Sequence, residues 1–167
     1  SYLGNIPMTT GVVDDYPASS WSVARYKSLL PRQAHLPEEN QRLWLYFGIF
    51  PNAVIYFYPE KAGFYMSLPQ GAATTLVISR EYRLPGENRE LAAVRYLSGR
   101  SDQITGREDH DLVRRLQEAA HTSVFPMNNL SDLEDGVLQF HQQLKALVPV
   151  MSLEASPAPG TLADVNT

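Results

Sequence analysis

The chain has 167 residues, 44% of them hydrophobic and 19% charged, which is ordinary usage for one globular domain with a buried core. Its net charge of −4, without any basic run, argues against nucleic acid or an anionic membrane surface as a partner, and no apolar stretch is long enough to span a membrane. The absence of cysteine excludes disulfides, thiolate nucleophiles and cysteine-held metal sites within this chain, and no signal peptide is visible, so we expect a cytoplasmic protein.

The first hundred residues predict a sheet preceded by an irregular segment. Prolines punctuate residues 1–40, where PASSWSVARYKSLLP is compatible with one short helix. LWLYFGIFPNAVIYFYP is rich in aromatic and β-branched residues and predicts two strands separated at Pro51-Asn52. KAGFYMSLP and TTLVISREYRLP predict two further strands, and ELAAVRYLSG a short additional one. Because short turns join these segments, the sheet is predicted to be antiparallel.

The following residues, 105–147, predict two helices. Thr105 and Glu108 have capping-box spacing, which predicts a helix beginning at about Gly106. After a break at FPMNN, a second capping box (SDLE) predicts another helix beginning near Ser131. The segment 151–167 is rich in Pro, Ala and Ser and predicts a disordered tail. The predicted fold is therefore α+β, an antiparallel sheet covered by C-terminal helices within one domain of residues 1–150.

Asp109 is the most informative residue of the first predicted helix. Helical periodicity puts it on one face with Val113, Leu116 and Ala120, whereas Asp111 falls on the polar face. A carboxylate on an apolar face has three readings. It supplies negative charge to the helix N-terminus, it is buried in a hydrogen bond or ion pair, or it is a metal ligand or catalytic group facing a cavity. Helix phase alone does not separate them.

At this point the sequence resembles a known family. The segments EDHDLVRRLQ and SVFPMNNLSDLEDGVLQFHQQL are similar to the end of the catalytic domain of Rieske-type non-heme iron oxygenase α subunits, which act on aromatic rings or on quaternary amines. The shared pattern is carried by Glu108, Asp109, Gln117, Phe125, Leu130, Ser131, Glu134, Val137, Phe140 and His141. Upstream, IFPN and the P-x-G turn at Pro69 also match, so the resemblance covers residues 40–147.

The resemblance implies a helix-grip fold and an iron site. In such proteins the Asp of the E-D pair is the carboxylate of a 2-His-1-carboxylate triad holding Fe(II), so Asp109 is expected to be a metal ligand. Electrons from NAD(P)H are expected to arrive through a reductase or ferredoxin and a Rieske [2Fe-2S] cluster, and O₂ to be the co-substrate. Strand alternation suggests Phe47, Phe50 and Tyr56 as substrate-binding residues. A homotrimer is expected by resemblance only.

Several parts of that machinery are missing from this sequence. The family's two histidine ligands lie in an upstream H-x4-5-H segment, and its cluster ligands, C-x-H and C-x2-H, lie further upstream; none is present here. The chain also begins at Ser1 without an initiator Met. We therefore expect the C-terminal part of a catalytic domain, or else a standalone relative that has lost its chemistry. The rival hypothesis is a non-catalytic helix-grip module that binds a lipid or another small molecule.

Overall fold

A computed structural model describes residues 2–3, 6–71, 73–83, 85–86, 88–120, 130–131, 134–155 and 157–165 of the chain. It divides into two compact units, Ser1–Pro126 and Met127–Thr167. Within the described residues, the first unit contains strands β1 (Tyr2–Leu3), β2 (Ile6–Val12), β3 (Leu43–Ile49), β4 (Ala53–Tyr58), β5 (Lys61–Gly71) and β6 (Thr74–Tyr82), with helices α1 (Trp21–Leu29) and α2 (Arg89–Ala120). The second contains α3 (Asp135–Leu147) and α4 (Leu162–Val165).

The predicted α+β class is confirmed. The six strands described here form one antiparallel sheet in the order of the chain, β1 to β6. The four strands predicted between residues 43 and 82 are present, as is the short helix predicted between Pro17 and Pro31. The order follows from the connections, since each strand returns beside the previous one through a short turn, except where α1 is inserted between β2 and β3.

Two predictions for the N-terminal unit are wrong. Residues 1–40 are not irregular throughout, because β2 pairs along its length with β3 and thereby satisfies its backbone hydrogen-bonding groups. ELAAVRYLSG is not a strand but the beginning of α2, which starts at Arg89 rather than near Gly106. Asn88 caps this helix, since its side-chain oxygen accepts a hydrogen bond from the Leu91 N–H at 2.8 Å.

A small core joins α1 and the first half of α2. Val13, Tyr26, Val94 and Leu97 are buried together, with Leu30 and Trp44 packed against them. The spacing of the buried α2 residues, Val94, Leu97 and Ser98, is the three- and four-residue spacing of one helix face. α1 begins at the N-cap Ser20, whose side chain accepts a hydrogen bond from the Val23 N–H at 3.3 Å.

The second half of α2 is exposed in the described residues. Leu112, Val113 and Leu116 are between 49% and 64% accessible, so the predicted apolar face is not covered there. None of the described helices is both long enough and apolar enough to cross a bilayer.

The second unit partly matches its predicted helix. The capping contacts of SDLE are present, because the Ser131 N–H and hydroxyl both donate to Glu134 Oε2, at 2.7 and 2.9 Å, but the helix itself begins at Asp135. The segment predicted to be a disordered tail contains α4 and the end of a 3-10 turn, Pro149–Ser152. The single domain of residues 1–150 remains a prediction beside this division into two units.

Candidate functional site

One face of the sheet carries a cluster of aromatic side chains, which we call the tyrosine face: Trp44, Tyr46, Tyr56, Tyr58 and Tyr65. Side chains alternate along a strand, and Tyr46 pairs directly with Tyr56, so residues of even number on β3 and β4 share this face. On β5 the same face carries Lys61, Gly63 and Tyr65, because Tyr56 pairs with Gly63 and Val54 with Tyr65. The hydroxyls of Tyr46 and Tyr58 lie 2.7 Å apart and form a hydrogen bond.

Gly63 gives the ring of Tyr56 the space it occupies. A Cβ atom at position 63 would lie 2.4 Å from the Tyr56 hydroxyl oxygen and 2.6 Å from the Arg80 carbonyl oxygen. Both distances are shorter than real Cβ contacts, so a side chain at this position would displace Tyr56 or the neighbouring strand. A glycine in the middle of a strand often marks such a close approach.

A buried lysine at the edge of the tyrosine face is held by two carboxylates. The ammonium of Lys61 has no solvent exposure and lies 2.8 Å from Glu81 Oε2 on β6 and 2.5 Å from Asp102 Oδ2 on α2. It also lies 5.0 Å from the centre of the Tyr58 ring. Burial by itself lowers the pKa of Lys61, but the two carboxylates outweigh it, so the pKa is raised and the group is charged at neutral pH. This cluster ties α2 to the sheet.

Next to the lysine, a second network is buried beneath α2. The Tyr26 hydroxyl donates to Glu60 Oε2 at 2.9 Å and accepts a hydrogen bond from Trp44 Nε1–H at 3.2 Å. Ser98 of α2 also hydrogen-bonds to the Glu60 side chain. Burial raises the pKa of Glu60, although the hydrogen bonds from Ser98 and Tyr26 oppose this shift. Burial, followed by the charge of Glu60, raises the pKa of Tyr26.

Asp109 lies beyond these networks on α2. It is seven residues after Asp102 and eleven after Ser98, and in a helix of 3.6 residues per turn these three positions share one side. Asp109 is solvent-exposed, and burial together with the negative charge of Asp109 raises the pKa of Tyr65. The carboxylate is therefore on the side of α2 that contacts the sheet, near Tyr65, but it is not buried in the described chain.

The three aromatic residues expected to bind substrate are not brought together on one surface. Tyr56 lies on the tyrosine face, whereas Phe47 pairs with Ile55 and lies on the opposite face, where its ring contacts Phe57 at 5.9 Å. Phe50 belongs to the turn between β3 and β4. Of the three, Tyr56 alone lies on the same sheet face as Tyr65, the residue whose pKa is raised by the charge of Asp109.

Other charged residues of α2 behave as a solvated face. Asp111 is exposed, as expected, and Arg114 forms an exposed ion pair with Glu118 at 2.9 Å. His110 is exposed, whereas His121, Phe125 and Asn128 lie outside the described residues. In the described part of the chain, no three His, Cys, Asp or Glu side chains are grouped so that they could hold a metal ion.

The buried groups Lys61 and Glu60 were missed by sequence reasoning. The signal for them was weak: in YPEKAG, Glu60 lies in a tight turn and Lys61 directly follows it at the start of the next strand, a place where exposure is the default. Their burial depends on α2 crossing this end of the sheet, and that required α2 to begin at Arg89.

Comparison with known proteins gives one finding. The family described as ring hydroxylating alpha subunit (catalytic domain) matches residues 4–149, which is most of the chain. Searches of curated protein sequences and of solved structures gave no match. The matched span includes every strand from β2 to β6, Asp109 and the whole of α3.

Proposed function

Because the chain belongs to the ring-hydroxylating alpha subunit (catalytic domain) family over residues 4–149, we propose that it is the C-terminal part of the catalytic domain of a Rieske-type oxygenase. Such an enzyme uses O₂ and electrons derived from NAD(P)H to hydroxylate or oxidatively dealkylate a small organic substrate, here an aromatic compound or a quaternary amine. The family match carries this proposal. The position of Asp109 on the sheet-contacting side of α2 supports it.

Asp109 fits the part of a single iron ligand. Its carboxylate is a hard oxygen donor, and no hydrogen bond or ion pair engages it among the described residues. Around it the described residues offer no second and third ligand, so the two histidines of the triad would come from a preceding segment of a longer chain. When bound there, Fe(II) would supply open coordination positions for activating O₂. The [2Fe-2S] cluster would belong to that preceding segment as well, because its cysteine ligands are lacking here.

The residues of this chain would shape the substrate side of the site. Tyr56 and Tyr65 both lie on the tyrosine face, and the charge of Asp109 contributes to the raised pKa of Tyr65. We therefore propose that the substrate binds over this face. Tyr56 would contact it through ring and hydroxyl, which suits a ligand that is mostly apolar. Phe47, on the other face, and Phe50, in the turn, would act only through the packing of the sheet.

The partners follow from the same family membership. We propose a reductase or ferredoxin as electron donor, a homotrimer for the full-length protein and a cytoplasmic location.

The decisive experiment compares two aspartates of the same helix in the full-length protein. Asp109→Ala is expected to lose its mononuclear iron after anaerobic reconstitution, as measured by elemental analysis, and with it the oxygenase activity. Asp111→Ala is the matched control, because Asp111 is exposed on the polar side two residues away, and it should retain both. Normal iron content in the Asp109→Ala protein would refute the ligand assignment. Ligand binding without any iron in the unmodified protein would favour the non-catalytic binding module instead.

A further inference from the structure

Trp44, Tyr26 and Glu60 form a hydrogen-bonded series that ends on a buried carboxyl group. Trp44 Nε1–H donates to the Tyr26 hydroxyl at 3.2 Å, and that hydroxyl donates to Glu60 Oε2 at 2.9 Å. The rings of Tyr26 and Trp44 are stacked with their centres 6.1 Å apart. Tyr26 is 3% and Glu60 4% exposed, so neither exchanges protons freely with solvent.

Among protein side chains other than cysteine, indole and phenol give up one electron most readily. A phenol loses its acidic proton when it is oxidised, so a buried tyrosine is a workable electron donor only if a base stands ready for that proton. Glu60 is placed as this base, because its carboxylate already accepts the Tyr26 hydroxyl hydrogen. Burial raises the pKa of Glu60, which favours keeping a proton it receives.

The same series is connected to the rest of the tyrosine face. The ring of Trp44 lies 5.7 Å from that of Tyr58, and Tyr58 lies 5.3 Å from Tyr56. Tyr65 follows on the same face and is the aromatic residue near Asp109. A sequence of neighbouring aromatic rings therefore extends from Tyr26 through Trp44 and Tyr58 to Tyr56.

We propose that Trp44, Tyr26 and Glu60 form a proton-coupled one-electron donor site. In the step, Tyr26 gives one electron to an oxidised Trp44, which returns to its neutral state with its N–H in place, and the Tyr26 hydroxyl proton moves to the Glu60 carboxylate. The products are a neutral Tyr26 phenoxyl radical and a protonated Glu60. The oxidant that first removes an electron from Trp44 is a one-electron oxidant that arises from O₂ when no substrate is consumed. This last role rests on the proposed function, whereas the donor step itself does not.

The test uses the chain without iron, so its result is independent of the Asp109 assignment. The sequence has two tryptophans, and Trp21→Phe leaves Trp44 as the single indole. Azide radicals generated by pulse radiolysis oxidise tryptophan selectively, and transient absorption then follows the indole radical and any tyrosine radical that replaces it. In the Trp21→Phe protein we expect the indole radical to be replaced by a tyrosine radical.

Two variants locate the step. Tyr26→Phe removes the donor, and Glu60→Gln keeps an oxygen for the hydrogen bond but cannot take up the proton; we expect both to lose the replacement and retain the indole radical. Tyr16→Phe is the control, since the Tyr16 ring also lies close to Trp44, at 5.4 Å, but is 44% exposed. It should behave like the parent.

The outcomes that would overturn the proposal are equally specific. A tyrosine radical that forms undiminished in Tyr26→Phe would assign the electron to another tyrosine beside Trp44, Tyr16 or Tyr58, and one that is lost in Tyr16→Phe would assign it to Tyr16. Undiminished transfer in Glu60→Gln would remove Glu60 as the proton acceptor. If Tyr26→Phe were to fail to fold, the isosteric Glu60→Gln would still decide the question.

Discussion

The charge of the buried Lys61 ammonium is compensated by two half-exposed carboxylates. We therefore expect that removing the carboxylates destabilises the fold more than removing the lysine does. Asp102→Asn leaves the shape unchanged but removes one of the two negative charges from a desolvated cation. We expect this to cost about 2 kcal/mol, the range measured for a hydrogen bond to a charged group. Removing both carboxylates, by Asp102→Asn with Glu81→Gln, leaves the charge uncompensated and should cost about 3–5 kcal/mol.

Replacing the lysine itself should reduce the stability of the fold less than removing its two carboxylate partners does. Lys61→Met keeps most of the aliphatic stem and removes the buried charge, while Glu81 and Asp102, which are 49% and 45% exposed, regain solvation. In this background Asp102→Asn should change stability by no more than about 0.5 kcal/mol, because the two residues no longer interact. Urea unfolding, followed by the fluorescence of Trp44 in a Trp21→Phe background, measures the stability of the parent, of Asp102→Asn, of Lys61→Met and of the double variant. An equal cost of Asp102→Asn with and without Lys61 would show that the ion pair does not hold α2 against the sheet.

Further predictions concern stability and its pH dependence. Burial raises the pKa of Glu60 above its ordinary value of 4.5, so the folded state binds that proton more tightly and stability falls as the pH rises from 4.5 through the folded pKa. Glu60→Gln should flatten this part of the profile in urea unfolding, and an unchanged slope would contradict the assignment. Gly63→Ala should destabilise by about 1–3 kcal/mol through its clash with Tyr56. Gly106→Ala, in the interior of α2 with no atom near its Cβ position, should stabilise by up to about 1 kcal/mol, and thermal unfolding compares the two.

Strands with a strong pattern of aromatic and β-branched residues were predicted correctly from the sequence. The strand that forms only because a neighbouring strand pairs with it was not. β3 and β4 are dense in aromatic and β-branched residues, which identifies them without any partner. β2, with the sequence IPMTTGV, has no such signal and is a strand because β3 offers it a partner. ELAAVRYLSG has helix-forming residues and a buried spacing of three and four, but in so short an apolar segment this spacing does not exclude a strand.

The separation of Phe47 and Tyr56 on opposite faces of the sheet follows from strand register. A two-residue turn at Pro51-Asn52 would pair Phe47 with Tyr56 and put both on one face. The connection is instead three residues long, from Phe50 to Asn52, and Tyr46 becomes the partner of Tyr56. Because side chains alternate with a period of two, one extra residue moves the whole set to the other face. Loop length, which sequence pattern specifies poorly, thus decided which aromatic residues can meet.

The orientation of Asp109 likewise does not come from the apolar stripe that first drew attention to it. Leu112, Val113 and Leu116 are exposed in the described chain and so cannot fix the rotation of the helix there. That rotation is fixed earlier, where Val94 and Ser98 are buried and Asp102 is paired with the buried Lys61. From Asp102 to Asp109 an α-helix makes two full turns less about 20° and rises about 10 Å. The ion pair that fixes the direction of residue 102 therefore also fixes the side of the helix on which residue 109 lies. The ion pair between Lys61 and Asp102, which the sequence did not predict, therefore determines the direction in which Asp109 projects from α2.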